Sequence, residues 1–171
     1  MQERKLVRAA ILLAIAILIQ QIRILVPLPV LVATLLIGTV VNACLALAAH
    51  FTSLSLALEM TLILPVIAFL QGHLLLVFLI PIVFLGNATF VLCCYKLKNR
   101  AVLFTAPLLK TVVMMAGTYV VISLFNIAPN IANKILMTMT WPQLITGILG
   151  IVLANILGTR LEASEKAIKK D

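Results

Sequence analysis

Apolar runs of about 20 residues, the length at which an α-helix rising 1.5 Å per residue crosses a ~30 Å hydrocarbon layer, recur six times along this chain before a polar tail. The pattern predicts helices over Leu6–Val26, Val30–Ala49, Ser53–Leu70, Leu74–Tyr95, Ala101–Phe125 and Lys134–Thr159. The first run ends in Gln20, Gln21 and Arg23 rather than in a small-residue cleavage site, so it reads as a retained span and not as a signal peptide. The expected fold is therefore all-α, an integral membrane bundle of six transmembrane helices. The loops hold at most about ten residues on this reading. Residues 1–171 then form a single transmembrane domain with a short N-terminus, 1–5, and a basic C-terminal tail, 160–171.

Composition agrees with that pattern. Of the 171 residues 64% are hydrophobic and 11% charged, against about a quarter charged in soluble domains, and the mean hydropathy is +1.24. The charges add an orientation. Arg4, Lys5 and Arg8 precede the first run, Lys96, Lys98 and Arg100 join the fourth and fifth, and Arg160, Lys166, Lys169 and Lys170 follow the sixth. Arg23 and Lys134 fall on the other side, so the cation asymmetry puts both termini in the cytoplasm of a protein of the cell (plasma) membrane. The net charge of +8 then reflects topology and contact with anionic lipid heads, not a nucleic-acid groove, because the cations flank spans.

Several chemistries are excluded by what is missing. There is no GxxxxGK[ST] motif, so any ATP-driven step needs another chain. The single aspartate is Asp171, which leaves nothing for an aspartate-pair peptidase or an acid-rich, metal-dependent phosphotransferase. Ser53, Ser55 and Ser123 lack flanking glycines, and His50 and His73 sit at loop edges, unlike a serine peptidase centre. Cys44, Cys93 and Cys94 lie within spans, and adjacent helical residues point about 100° apart, so Cys93 and Cys94 form no metal clamp; all three read as small buried residues. The chain is expected to be no enzyme and to use no metal or cofactor.

Polar groups inside hydrocarbon need a partner or a function. Glu59 in the third run and Lys110 in the fifth lie at similar depth, roughly 9 and 14 Å from the same boundary. One reading pairs them as a structural ion pair; the other lets Glu59 reach the cytoplasmic surface while Lys110 caps carbonyls freed by Pro107. Asn42 and Asn87 fall near the bilayer middle, either bonded to each other or lining a cavity. In "MTMTWPQLITG", Pro142 removes an amide and leaves the Thr138 carbonyl free, with Trp141 and Gln143 beside it. Trp141 reads as a ligand contact or as an interfacial anchor. Gln20, Gln21, Arg23, Gln71 and His73 add hydrogen-bonding groups on the outer side. Small-residue stripes complete the pattern, with Ala10 and Ala14 in the first run and Gly150, Ala154 and Gly158 in the last, serving internal packing or a docking face.

Six short-looped spans with an alanine-rich first helix and no nucleotide site resemble the substrate-binding S component of an energy-coupling factor (ECF) vitamin transporter. "IGTVVNACL" (37–45), "LPVIAFLQ" (64–71), "FLGNATFVL" (84–92) and "TWPQLITGILG" (140–150) are similar to segments of bacterial members of that family. The resemblance implies a six-helix protein that binds a vitamin or related small micronutrient near its outer face. It also implies docking, through the Ala10 and Ala14 surface, on a transmembrane coupling (T) subunit with two cytoplasmic ATPase subunits, whose ATP hydrolysis would topple the bundle and release the solute. By position the family's cavity maps to Arg23, Asn87, Trp141 and Gln143; Asn42 and Lys110 join the substrate-binding set from depth and polarity. The alternative is a small homo-oligomeric permease or channel working without ATPases, with an ion path past Glu59 and Lys110.

Overall fold

The computed structural model describes residues 2–74, 76–97 and 101–168. Lys98, Arg100, Lys169 and Lys170, used above for orientation, lie outside the described residues, as does the side chain of Lys166. Seven helices follow one another: α1 (Gln2–Leu25), α2 (Val30–Phe51), α3 (Leu54–Leu70), α4 (Leu79–Lys96), α5 (Val102–Leu124), α6 (Pro129–Met139) and α7 (Trp141–Ile168). There is no strand among the described residues. Five stretches are long and apolar enough to cross a membrane, with α6 and α7 together making the last; α3 is apolar but shorter, at 17 residues. The fold is thus an all-α bundle compatible with a multi-pass membrane protein.

Local chemistry sets the helix ends. The Ser53 hydroxyl accepts from the Leu56 amide at 3.4 Å and caps α3. At its other end Gly72 takes a φ of +73°, which costs glycine little. This lets the Gly72 and His73 amides reach back to the carbonyls of Phe69 and Ala68. That closure displaces the fourth helix, which begins at Leu79 instead of Leu74. The sixth run differs more: the expected single helix is two, α6 and α7, separated at Thr140 (φ −110°, ψ −111°). Pro142 is the cause, since it donates no amide to Thr138 and its ring crowds that carbonyl.

α2 runs through the centre, packing on α7, α1, α4 and α3; α4 packs on α5 and α3, α5 on α7, and α6 on α5 and α7. α2 and α7 lie parallel, with Gly38 against Thr146, Gly150 against Asn42 and Gly158 against Phe51. A Cβ at Gly150 would sit 2.6 Å from Asn42 Cβ and 3.0 Å from the Ala43 nitrogen, so this close approach requires glycine. The stripe of Gly150, Ala154 and Gly158 therefore belongs to internal packing.

The start of α1 and the ends of α2 and α7 share one end of the bundle, here the termini end. Around it an unbroken apolar core joins Ala43–Ala49 of α2 to Ala57 and Met60 of α3, Phe90, Val91 and Cys94 of α4, Ala106 of α5 and Ile151 and Ala154 of α7. A smaller core, with Leu79, Ile82, Met114, Val121 and Ile135, gathers α4, α5 and α6 toward the far end. There Phe78 and Phe125 stack at 4.0 Å between centroids, tying the start of α4 to the end of α5.

Candidate binding chamber

Between the two cores the helices leave a chamber of about 640 Å³, inside the range of small-molecule sites. α1 contributes Gln20 and Arg23; α2 its first turns and Asn42; α3 Leu64, Pro65 and Ala68; and the following turn Gly72, His73 and Leu74. α4 adds Leu79, Val83 and Asn87, α5 Lys110, and the α6–α7 junction Lys134 to Gln143 in part. All six residues expected to meet a solute, Arg23, Asn42, Asn87, Lys110, Trp141 and Gln143, line this one space.

Its polar wall is a hydrogen-bonded chain across four helices. Lys110 Nζ donates to Asn42 Oδ1 at 2.6 Å, and Asn42 Nδ2 donates to Thr146 Oγ1 at 3.2 Å. The Thr146 hydroxyl donates to the Gln143 carbonyl at 3.3 Å, while Gln143 Nε2 donates to the Thr138 carbonyl at 3.1 Å. The carbonyl orphaned by Pro142 is thus satisfied by a side chain from the next turn, which locks the broken junction and fixes Gln143 at the chamber wall. The Lys110 ammonium also lies 5.5 Å from the Phe90 ring centroid, a favourable placement for a cation in a dry setting.

Three expected contacts are not made. Glu59 does not reach Lys110: α3 and α5 are not packed neighbours, Glu59 points out of the bundle, and Lys110 is 3% exposed and bonded to Asn42. Lys110 does not cap a carbonyl freed by Pro107 either, since its ammonium donates to Asn42. Asn42 and Asn87 do not bond each other, because Asn42 is held by Lys110 and Thr146. Asn87 is buried, lines the chamber and, among the described residues, has no hydrogen-bond partner. Ala10 and Ala14 lie exposed on α1, in a stripe with Leu6, Val7, Ile11, Ile15 and Leu18.

Thr146 and Lys134 are lining or bridging residues that the sequence did not single out for this site. For Thr146 the usable signal is its i+3 spacing from Gln143, which puts both on one helical face. Gln20 is 4% exposed, with its Oε1 buried and unpartnered. His73 likewise keeps a buried, unpartnered Nε2; burial first, and Arg23 second, push its imidazole below the ordinary value of 6.5. Among the described residues the lining carries Arg23, Lys110 and Lys134 and no carboxylate. Comparison with protein-family models, with curated proteins and with solved structures finds no match for this chain.

Proposed function

We propose that this chain is the solute-capture (S) subunit of an ECF-type importer in the plasma membrane, with six spans and cytoplasmic termini, taking up a vitamin or related micronutrient. The observation that carries this reading is the chamber itself. It is large enough for a small organic molecule, it gathers the polar side chains of otherwise apolar helices, and it stops at the packed alanine-rich core of α2, α3, α4 and α7. A blind chamber holds a solute; it does not conduct one. Release then requires the whole bundle to move, and the energy for that comes from a coupling subunit and two ATPases, since this chain has no nucleotide motif. The exposed small-residue stripe at Ala10 and Ala14, flanked by large apolar side chains, suits close approach of a partner helix.

The test is co-purification. Co-expressed with a coupling subunit and ATPase pair from the same cells, the tagged chain should recover them in stoichiometric amounts, and Ala10→Trp or Ala14→Trp should reduce recovery at least about tenfold, a loss of roughly 1.4 kcal/mol. Recovery of the chain alone, or only as a homo-oligomer, would overturn the importer reading in favour of the independent permease.

A further inference from the structure

The chamber contains a buried lysine with no acid beside it among the described residues. Lys110 has three N–H donors as an ammonium, and its one hydrogen bond within the protein goes to the Asn42 carbonyl oxygen. The side chain is 3% exposed and, among the described residues, no carboxylate lines the space around it. A buried cation without a counter-charge is costly, and most such groups are paired. Asn87, on the neighbouring helix α4, brings a hydrogen-bonding group with no partner among the described residues to the same chamber. Near the chamber's far end Arg23 and Lys134 repeat the positive sign, which draws anions inward and repels cations.

Resting on the capture reading, we infer that the solute is an organic anion whose acidic group seats against Lys110 and Asn87. The remainder of the wall describes the rest of the molecule. Leu64, Leu79, Val83, Ile135 and Trp141 present apolar and aromatic surface, so the anion carries a sizeable apolar or planar body. A cationic solute would meet three like charges and no acid. A neutral one would shut the ammonium away from water with only the Asn42 oxygen and the Phe90 ring to offset it and no counter-charge. The acidic group supplies what the protein withholds, a counter-charge at the floor.

Yeast extract filtered below about 1 kDa supplies a mixed pool of metabolites, which anion exchange divides into a retained and an unretained fraction. Each is added to the purified full chain in detergent, and thermal unfolding is followed. The retained fraction should raise Tm by roughly 5–10 °C, the rise expected near a hundredfold excess over Kd, while the unretained fraction should leave it unchanged. Lys110→Met should abolish the shift while keeping an unliganded Tm at or above that of the unaltered chain; Asn87→Ala should at least halve the shift and serves as the test if Lys110→Met does not fold. Stabilisation by the unretained fraction alone would overturn the anion and leave the capture reading intact. Stabilisation by phosphatidylglycerol and by neither fraction would overturn it in favour of a lipid headgroup. Stabilisation by none of the three would remove the capture reading itself.

Discussion

Lys110 and Asn42 act as one unit, and their separate replacement exposes the coupling. Asn42→Leu leaves the ammonium without its acceptor, 2.6 Å away in the intact protein, and should cost about 1–3 kcal/mol. Lys110→Met removes the charge while keeping the stem and should leave the stability of the unliganded chain unchanged or raise it. The double replacement should fall close to Lys110→Met alone, a coupling read from thermal unfolding of the four proteins. Additive losses would show that the two side chains act independently. At this scale the sequence carried depth but not direction. Counting along a helix puts Glu59 and Lys110 at similar levels, yet the pairing depends on which helices are neighbours. α3 packs on α4, α1 and α2, whereas α5 packs on α4, α7 and α6. The lysine reaches past those neighbours to an amide on the central helix, and the glutamate stays on the exposed face of α3.

Whole helices were legible where the apolar run and its punctuation agreed. α1, α2, α3 and α5 begin and end within a few residues of the expected bounds, because Pro27 and Pro29, the Ser53 cap and the turn at Asn126 mark clear boundaries. α4 was harder: Leu74 is apolar and buried, but it packs from a turn, and hydropathy does not distinguish a loop residue in the far-end core from a helical one. The last run looked continuous and is divided, although Pro142 already pointed to the orphaned Thr138 carbonyl. The α2–α7 seam yields a paired prediction. Gly150→Ala drives a methyl toward the Asn42 and Ala43 backbone and should destabilise by about 1–3 kcal/mol. Gly158→Ala meets only side-chain atoms, of Phe51 at 3.3 Å and Leu47 at 3.8 Å, and should lie within about 0.5 kcal/mol of the unaltered chain. Equal effects in a thermal denaturation series would mean that α2 and α7 do not approach as closely at Gly150 as described.

The molecule as a whole is divided by depth. One half is sealed by small side chains, where α2 is buried continuously from Asn42 to Ala49; the other is opened by a broken helix, a glycine turn and two prolines before α2. The six solute-contact candidates converge because polar residues in apolar helices collect where the packing leaves space. Composition could not show that the space is blind at the termini end, since that depends on how alanines from several helices interlock. Nor could it show that no acid among the described residues lines the chamber wall, which follows from Glu59 facing outward.

Trp141 is the single tryptophan of the chain and stands at the chamber wall, 41% exposed. Its emission therefore reports occupancy without any label. The decisive measurement mixes the purified chain with yeast extract filtered below about 1 kDa, removes unbound material by gel filtration, and compares the Trp141 spectrum with that of the untreated protein. Solute capture predicts a shift or quench that survives gel filtration, saturates with the amount of extract, and disappears when Val83→Trp, on a Trp141→Phe background, is used to fill the chamber and report from within it. An unchanged Trp141 spectrum at saturating extract would contradict the claim that this chamber holds a solute.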